Sequence, residues 1–358
     1  MQSKKISVGV IGLGMTGKST AQCLQNVANI DFVGIVDHND QVAKEVGSQL
    51  SVPTFCDTRQ MILNAKPEIV FISVPPMQLG DILTFCLKQK IHAWVEAPFG
   101  RNLGEAAAFV RSFTDAGLKL AVGTQRRFIS SYQKMRDLRG SLGRIFSSSG
   151  QYAFNWGPNL GWRADKNSAG GGALLELGYH PIDLLTWTMG LPEDVYGVAT
   201  VQQPELADAD NPNHNTDDTA AAILRYPDDA VATVNTSRIS GPVSEELILR
   251  GAGGSIIANS ESCTLRNPQG EIIEHFQEDL PPLEIFKRQA EAFISAVRTE
   301  SKYYQCSAAE NLLNLSVIDA IYLSCQTLQP ESPARQLHIH GLKLTDCLQF
   351  IKPAPEEN

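Results

Sequence analysis

The sequence predicts a doubly wound α/β domain with a parallel sheet, followed by an α+β domain built on a large open, mainly antiparallel sheet. Three observations carry this reading. Short apolar runs alternate with segments of helical period over the first 124 residues. A glycine-rich turn follows the first of those runs. After Gly123 the pattern changes to strands of alternating polarity separated by turn residues, with few helices between them. The 358 residues suffice for two domains of roughly 100–200 residues each, with expected spans of 1–124 and 125–358.

Ile6 to Ile11 reads as a buried strand, and Phe32 to Val36, Ile69 to Val74, Ala93 to Val95 and Lys119 to Val122 repeat it. Leu79, Ile82, Leu83, Cys86 and Leu87 fall at three- and four-residue spacing, as on one face of a helix. Ala106, Phe109, Val110 and Phe113 form a second such face, which ends near Gly117, a C-terminal cap. In the second half, Tyr152, Phe154 and Trp156 alternate as in a half-exposed strand. Ala220 to Arg225, Ala230 to Thr236 and Leu247 to Arg250 also read as strands, with Pro227-Asp228-Asp229 as a turn. Two late helices are expected over Phe286 to Val297 and Ala308 to Cys325, and Pro353 to Asn358 reads as a frayed tail.

Composition narrows the function classes. The chain is 43% hydrophobic and 19% charged, with no apolar run of about 18 residues, so no membrane span is expected. The formal charge of −9 argues against nucleic acid as the main partner. Met1 to Lys5 leads straight into the first strand without the features of a secretory signal, which favours a cytoplasmic location. The seven cysteines are odd in number, widely spaced and free of any C-x-x-C pair. That pattern fits a reducing compartment and predicts neither a disulfide framework nor a metal site.

Gly12-Leu13-Gly14-Met15-Thr16-Gly17 follows the first strand and opens a helix. The first glycine permits a tight turn, the second a close approach of pyrophosphate, and the third close helix–strand packing. The helix N-terminus then offers free N–H groups and a favourable dipole to phosphate. Asp37 closes the next strand at the spacing of a ribose-binding acid, followed by His38-Asn39 rather than an arginine. These residues predict a Rossmann domain with NAD(H) favoured and NADP(H) as the alternative, because the Asp37 charge repels a 2′-phosphate.

A second motif lies in the later domain. Trp162-Arg163 and Gly170-Gly171-Gly172 precede Glu176, Gly178, His180 and Asp183. The triple glycine suggests close approach of backbone to a ligand. On a helix, Glu176, His180 and Asp183 share one face, which makes them candidates for proton handling, with either carboxylate orienting the ring and raising its pKa.

At this point the chain resembles the Gfo/Idh/MocA oxidoreductases, which include glucose–fructose oxidoreductase and inositol dehydrogenase. The resemblance runs over nearly the whole chain. It rests on the glycine loop, Glu96-Ala97-Pro98, the segment Val122 to Phe128, Trp162-Arg163 with its glycines, Glu176-x-Gly178-x-His180-x-x-Asp183, Asp217-Asp218-Thr219-Ala220 and the late helix. It implies hydride transfer between a nicotinamide and a hydroxyl or carbonyl carbon of a sugar, cyclitol or related molecule, with His180 as acid/base. The implied cofactor set is Gly12, Leu13, Gly14, Met15, Thr16, Gly17, Asp37, His38, Val74, Pro75, Glu96, Ala97, Pro98 and Gln125. The implied substrate set is Arg126, Tyr152, Trp162, Arg163, Lys166 and His180. Taken by themselves, Arg126 and Arg127 read either as surface charges or as contacts for an anionic substrate or a cofactor phosphate. Assembly as a homodimer or homotetramer through the open sheet face is expected as well.

Two departures stand out. The family's Glu-Lys-Pro lysine is Ala97, and its aspartate is Glu176. Three alternatives therefore stand beside a plain sugar dehydrogenase: a biliverdin-reductase-like reductase, a silent nucleotide-binding regulator, and an NAD-recycling glycosidase or lyase. If the enzyme is intact, Arg163, Lys166 or Tyr152 is expected to replace the lysine's electrostatic help.

Overall fold

The computed structural model describes residues 5–202 and 214–351, so the expected tail from Pro353 lies outside the described residues. The first domain contains β1 (Ile6–Ile11), α1 (Met15–Leu24), β2 (Ile30–Val36), α2 (Asp40–Leu50), β3 (Thr54–Phe55), α3 (Thr58–Ala65), β4 (Ile69–Ile72), α4 (Leu79–Gln89), β5 (His92–Glu96), α5 (Leu103–Asp115) and β6 (Leu120–Gly123). Its six strands are all parallel, in the order β3-β2-β1-β4-β5-β6. Val8, Val10, Ile69, Val70, Phe71, Ile72 and Val95 are almost wholly buried, as continuous apolar strands covered on both faces require. β4 ends two residues before the apolar run does, because Ser73 and Val74 turn out of the sheet to press on the glycine loop.

The second domain opens with α6 (Ser130–Leu138) and β7 (Ile145–Asn155), followed by α7 (Lys166–Ala169), α8 (Ala173–Glu176) and α9 (Tyr179–Met189). Then come β8 (Asp194–Thr200), β9 (Thr219–Arg225), β10 (Val231–Ser237), β11 (Ile239–Gly251), β12 (Gly254–Ala258), β13 (Ser262–Arg266) and β14 (Ile272–Gln277). The helices α10 (Pro282–Arg298), α11 (Ala308–Thr327), α12 (Pro333–Ile339) and α13 (Leu344–Leu348) complete it. The eight strands run β14-β13-β12-β11-β7-β10-β9-β8, and every pair is antiparallel except β10 with β7. Burial alternates along β9 and β10: Ala220, Ala222, Leu224, Ala232 and Val234 face the covering helices, while Ile223 and Val231 face out.

The chain does not divide cleanly at Thr124. α10 returns to the first domain, where Ala290, Phe293 and Ile294 join the core of Val8, Val10 and Trp94. Phe293 meets Phe71 edge-on at 6.4 Å. A bridge between Ala121 and Ser307 ties β6 to the segment before α11. The glycine loop and the second motif are therefore held on one packed body. All seven cysteines are free thiols, five of them buried, in keeping with use as small hydrophobes. No helix among the described residues is long and apolar enough to cross a membrane.

Candidate active site

In an open parallel sheet, ligands bind outside the carboxyl ends of the strands where the strand order reverses. Here that point lies between β1 and β4, so the cleft is rimmed by Gly12 after β1, Asp37 after β2, Ser73 after β4 and Glu96 closing β5. Gly12 adopts φ +87°, and a Cβ there would lie 2.2 Å from the Ser73 carbonyl oxygen, so only glycine fits. A Cβ on Gly14, by contrast, would meet nothing within 4 Å. The loop thus leaves open space at its second glycine. α1 starts there with no side-chain cap and no acidic residue in its first turn, which leaves its N–H groups available to a phosphate.

Asp37 is 8% exposed. Its carboxylate accepts the Leu13 N–H at 2.6 Å and the Asn39 N–H at 2.8 Å, with the exposed His38 ring nitrogen 3.1 Å away. One role of Asp37 is therefore to lock the glycine loop. This corrects the expectation for Leu13, whose side chain is core and whose N–H is already taken. Each carboxylate oxygen keeps a further lone pair for a ribose hydroxyl. The Gln125 side-chain oxygen is buried with no partner among the described residues, an orphan acceptor at the start of the second domain. The open glycine, the uncapped helix, the placed acid and this orphan acceptor all fit a dinucleotide.

Glu96, Ala97 and Pro98 leave β5 through a cis Ala97–Pro98 peptide. Burial pushes the Glu96 carboxyl up to about 7, helped by the nearby charge of Glu176 and opposed by Thr16, Arg163 and Ser73. Glu96 thus feels a pair from the second domain, in which Arg163 Nε donates to Glu176 Oε1 at 2.5 Å. The Arg163 guanidinium lies over both Trp156 and Trp162, at 4.1 and 4.3 Å from their ring centroids. The motif helix begins at Ala173, where the Asp217 carboxylate accepts the N–H groups of Gly172 (2.9 Å) and Leu174 (2.8 Å) and the Tyr322 hydroxyl (2.7 Å).

His180 follows in the first turn of α9, with its ring edge-on to Tyr152 at 5.7 Å. Neither ring nitrogen has a hydrogen-bond partner among the described residues. Scarcity of water around the ring, with the charge of Arg126, holds its pKa well below the ordinary 6.5. The imidazole is therefore neutral at physiological pH and free to accept a proton.

Several sequence expectations need correction. Glu176, His180 and Asp183 do not form one proton-handling cluster. The segment breaks at Leu177-Gly178 into α8 and α9, and Glu176 turns to Arg163. Asp183 is buried away from the ring, accepting Arg127 through Nε (2.9 Å) and Nη2 (2.7 Å) and Asn314 Nδ2 at 2.7 Å. The ring's pKa is lowered where a carboxylate partner would have raised it. Arg126 and Arg127 are not open to an anion: Arg126 pairs with Glu245 at 2.9 Å, and Arg127 pairs with Asp183 and Glu310. The triple glycine serves packing against protein, since a Cβ on Gly172 would lie 1.9 Å from the Asp217 carbonyl oxygen.

Tyr152, Trp162 and Arg163 are brought together around Glu176 and His180, whereas Lys166 is exposed, its ammonium 6.0 Å from the Tyr322 ring centroid. Val74 packs on Gly12, and Pro75 leads into the turn before α4. Met15 is 74% exposed at the loop's outer edge, while Thr16 and Gly17 begin α1. Sequence reasoning missed Ser73, Phe154 and Glu245 as parts of the site. Only Ser73 carried a signal, as the residue just past a buried strand at the switch point.

Comparison with known proteins bears on the fold and the family. Residues 6–124 match the oxidoreductase family with an NAD-binding Rossmann fold (GFO_IDH_MocA), and residues 132–257 match the GFO/IDH/MocA C-terminal domain. The chain is 24% identical over 273 residues to the myo-inositol 2-dehydrogenase of Thermotoga maritima, covering 74% of this chain and 79% of that protein. It is 23% identical over 328 residues to the D-xylose 1-dehydrogenase (NADP(+)) 2 of Haloferax volcanii, covering 89% and 96% respectively. Among solved structures, levoglucosan dehydrogenase in complex with NADH and levoglucosan superposes with a TM-score of 0.83 at 20% identity, over 92% of this chain and 99% of that one. At that identity the superposition speaks for the fold alone.

Proposed function

The chain belongs to the Gfo/Idh/MocA oxidoreductase family, and on that premise we propose that it moves a hydride between NAD(H) and a hydroxyl or carbonyl carbon of a sugar or cyclitol. The observation that carries this reading is the His180 imidazole, kept neutral by its burial, without a hydrogen-bond partner among the described residues, in the first turn of the helix that follows the Glu176–Arg163 pair beside Glu96. Bound NAD would supply the hydride acceptor. The glycine loop would hold its pyrophosphate at Gly14, Asp37 its adenosine ribose, and the segment Glu96 to Pro98 would lie along the nicotinamide side.

The chain's own residues then handle the proton. An alcohol carbon gives up hydride productively only if its hydroxyl proton leaves too, and His180 is the base. Tyr152 meets the ring edge-on, and burial, with the charge of Arg126, keeps it unprotonated before substrate arrives. Ala97 neither donates nor carries charge. Arg163, lying over two indoles and paired with Glu176, supplies the local positive charge that the family's lysine gives elsewhere. Asp37 sets a preference for NAD(H) over NADP(H) through its charge. The outward residues Tyr196, Val198, Ile223 and Val231, each 39% exposed or more, form the face on which a homodimer or homotetramer closes.

Absorbance at 340 nm across a panel of cyclitols, aldoses and glycosides tests the activity. Cofactor-coupled turnover of at least one of them is the expected result. A silent panel combined with tight capture of a protein partner would favour a nucleotide-binding regulator instead.

A further inference from the structure

A second groove lies away from the dinucleotide cleft, between the C-terminal end of α9, the segment before α11, and α13. It encloses about 770 Å³, within the roughly 300–1,000 Å³ of small-molecule sites. None of the strand-end residues Gly12, Asp37, Ser73 and Glu96 lines it, and neither does His180. Its walls are largely apolar: Trp187 from α9, Tyr303 and Tyr304 from the connecting segment, Leu313 from α11, and Leu344 and Leu348 from α13. Leu344 and Leu348 stand one helical turn apart. They are 47% and 39% exposed, and Tyr303 is 38% exposed, so three large apolar side chains in contact with water meet in one concavity. Clustered apolar exposure of this kind marks a binding surface, whereas single exposed side chains do not.

Two guanidinia reach the groove, and one of them is already matched. Arg127 is held by Asp183 and Glu310. Arg136, on α6, lies over the Trp187 ring at 4.4 Å, and its guanidinium makes no hydrogen bond or ion pair among the described residues. A guanidinium over an indole keeps its in-plane N–H groups clear of the ring, where a carboxylate can take two of them side by side. Partial burial and the charge of Arg127 both disfavour the charged form of Arg136, and a bound anion would counter them. Glu310 also lines the groove, which favours a ligand of one negative charge over a phosphate dianion.

We propose that this groove binds a small amphiphilic monocarboxylate, an aliphatic or arylalkyl acid, with its carboxylate on Arg136 and its apolar body against Trp187, Tyr303, Leu344 and Leu348. The site is distinct from the substrate cleft and does not rest on the redox reading of that cleft.

The test uses the full chain with saturating NADH and reads binding by calorimetry. The probes are octanoate with octanol, 3-phenylpropanoate with 3-phenylpropanol, and butanoate as a shortened acid. At least one of the two longer acids is expected to bind, at least about fivefold more tightly than its alcohol. If octanoate binds, it should exceed butanoate, since each further buried methylene adds up to about fourfold. Arg136→Gln should weaken acid binding by roughly 5- to 12-fold, between the worth of an exposed ion pair and that of a charge-assisted hydrogen bond, with NADH affinity unchanged. Arg136→Lys should retain part of the binding. An alcohol that binds as tightly as its acid, an Arg136→Gln variant of undiminished affinity, no binding by either longer acid, or binding that appears only once residues 352–358 are deleted overturns the proposal.

Discussion

Replacing Asp183 by alanine separates a structural acid from a catalytic one. Asp183 lies three residues after His180, where the motif alone suggests a role in proton transfer, but the structure gives it other work. Its side chain is 1% exposed and takes three contacts from Arg127, at 3.1, 2.9 and 2.7 Å, and one from Asn314 at 2.7 Å. Removing one partner of a buried pair costs about 3–5 kcal/mol, because the other charge is left uncompensated. Glu310 still holds Arg127 in the variant, so the loss should fall near the lower end, at about 3 kcal/mol. At roughly 2–4 °C per kcal/mol, Tm should drop by roughly 6–12 °C. Asp183→Asn keeps one acceptor and should lose less. Thermal unfolding by circular dichroism measures the drop, and an NADH titration shows whether the folded fraction still binds cofactor. A Tm within about 1 °C of wild type, combined with a collapse in kcat, would refute the assignment and place Asp183 in the chemistry.

Other outcomes follow from the same geometry. Asp37→Ala should narrow the gap between NADH and NADPH affinity and weaken both, since the Leu13 N–H loses its acceptor; fluorescence titration reports it, and an unchanged ratio would contradict the role. Alcohol oxidation should hold its rate down to pH 6.5 and fall only below it, because a base with a depressed pKa stays unprotonated until the pH drops to that lower value. An acid limb near pH 7 that Glu96→Gln removes would move the proton to Glu96, whose carboxyl is pushed up to about 7. Ala97→Lys should not raise kcat/KM, and a gain of about 10²-fold or more would mean that acid–base help was lost outright rather than replaced. Ile223→Lys on the outward sheet face should yield monomers by light scattering, and an unaltered assembly would relocate the interface.

Local chemistry was legible in the sequence. The turn at Gly12, the acid at Asp37 and the parallel strands all depend on residues close together in the chain, where spacing alone signals geometry. The two-residue β3 is too short to show a period. Partners far along the chain were not legible. Asp183 looked like a companion of His180 because helical period gives the face of a residue but not what packs on it. Its partners Arg127 and Asn314 lie 56 and 131 residues away. The return of α10 to the first domain was hidden for the same reason, since an amphipathic helix names no target. Arg126 read as a surface charge or a contact for an anion because nothing in Ser244-Glu245-Glu246 marks Glu245 as its buried counterion.

The central claim is that His180 takes the alcohol proton in an NAD-linked oxidation. It is tested most directly by comparing wild type and His180→Ala at 340 nm on whichever neutral polyol the panel identifies, with NADH affinity measured on both proteins. A fall in kcat of about 10²–10⁴-fold, with cofactor affinity nearly unchanged, is the predicted result. A His180→Ala protein that turns over the same substrate at the wild-type rate would contradict the account.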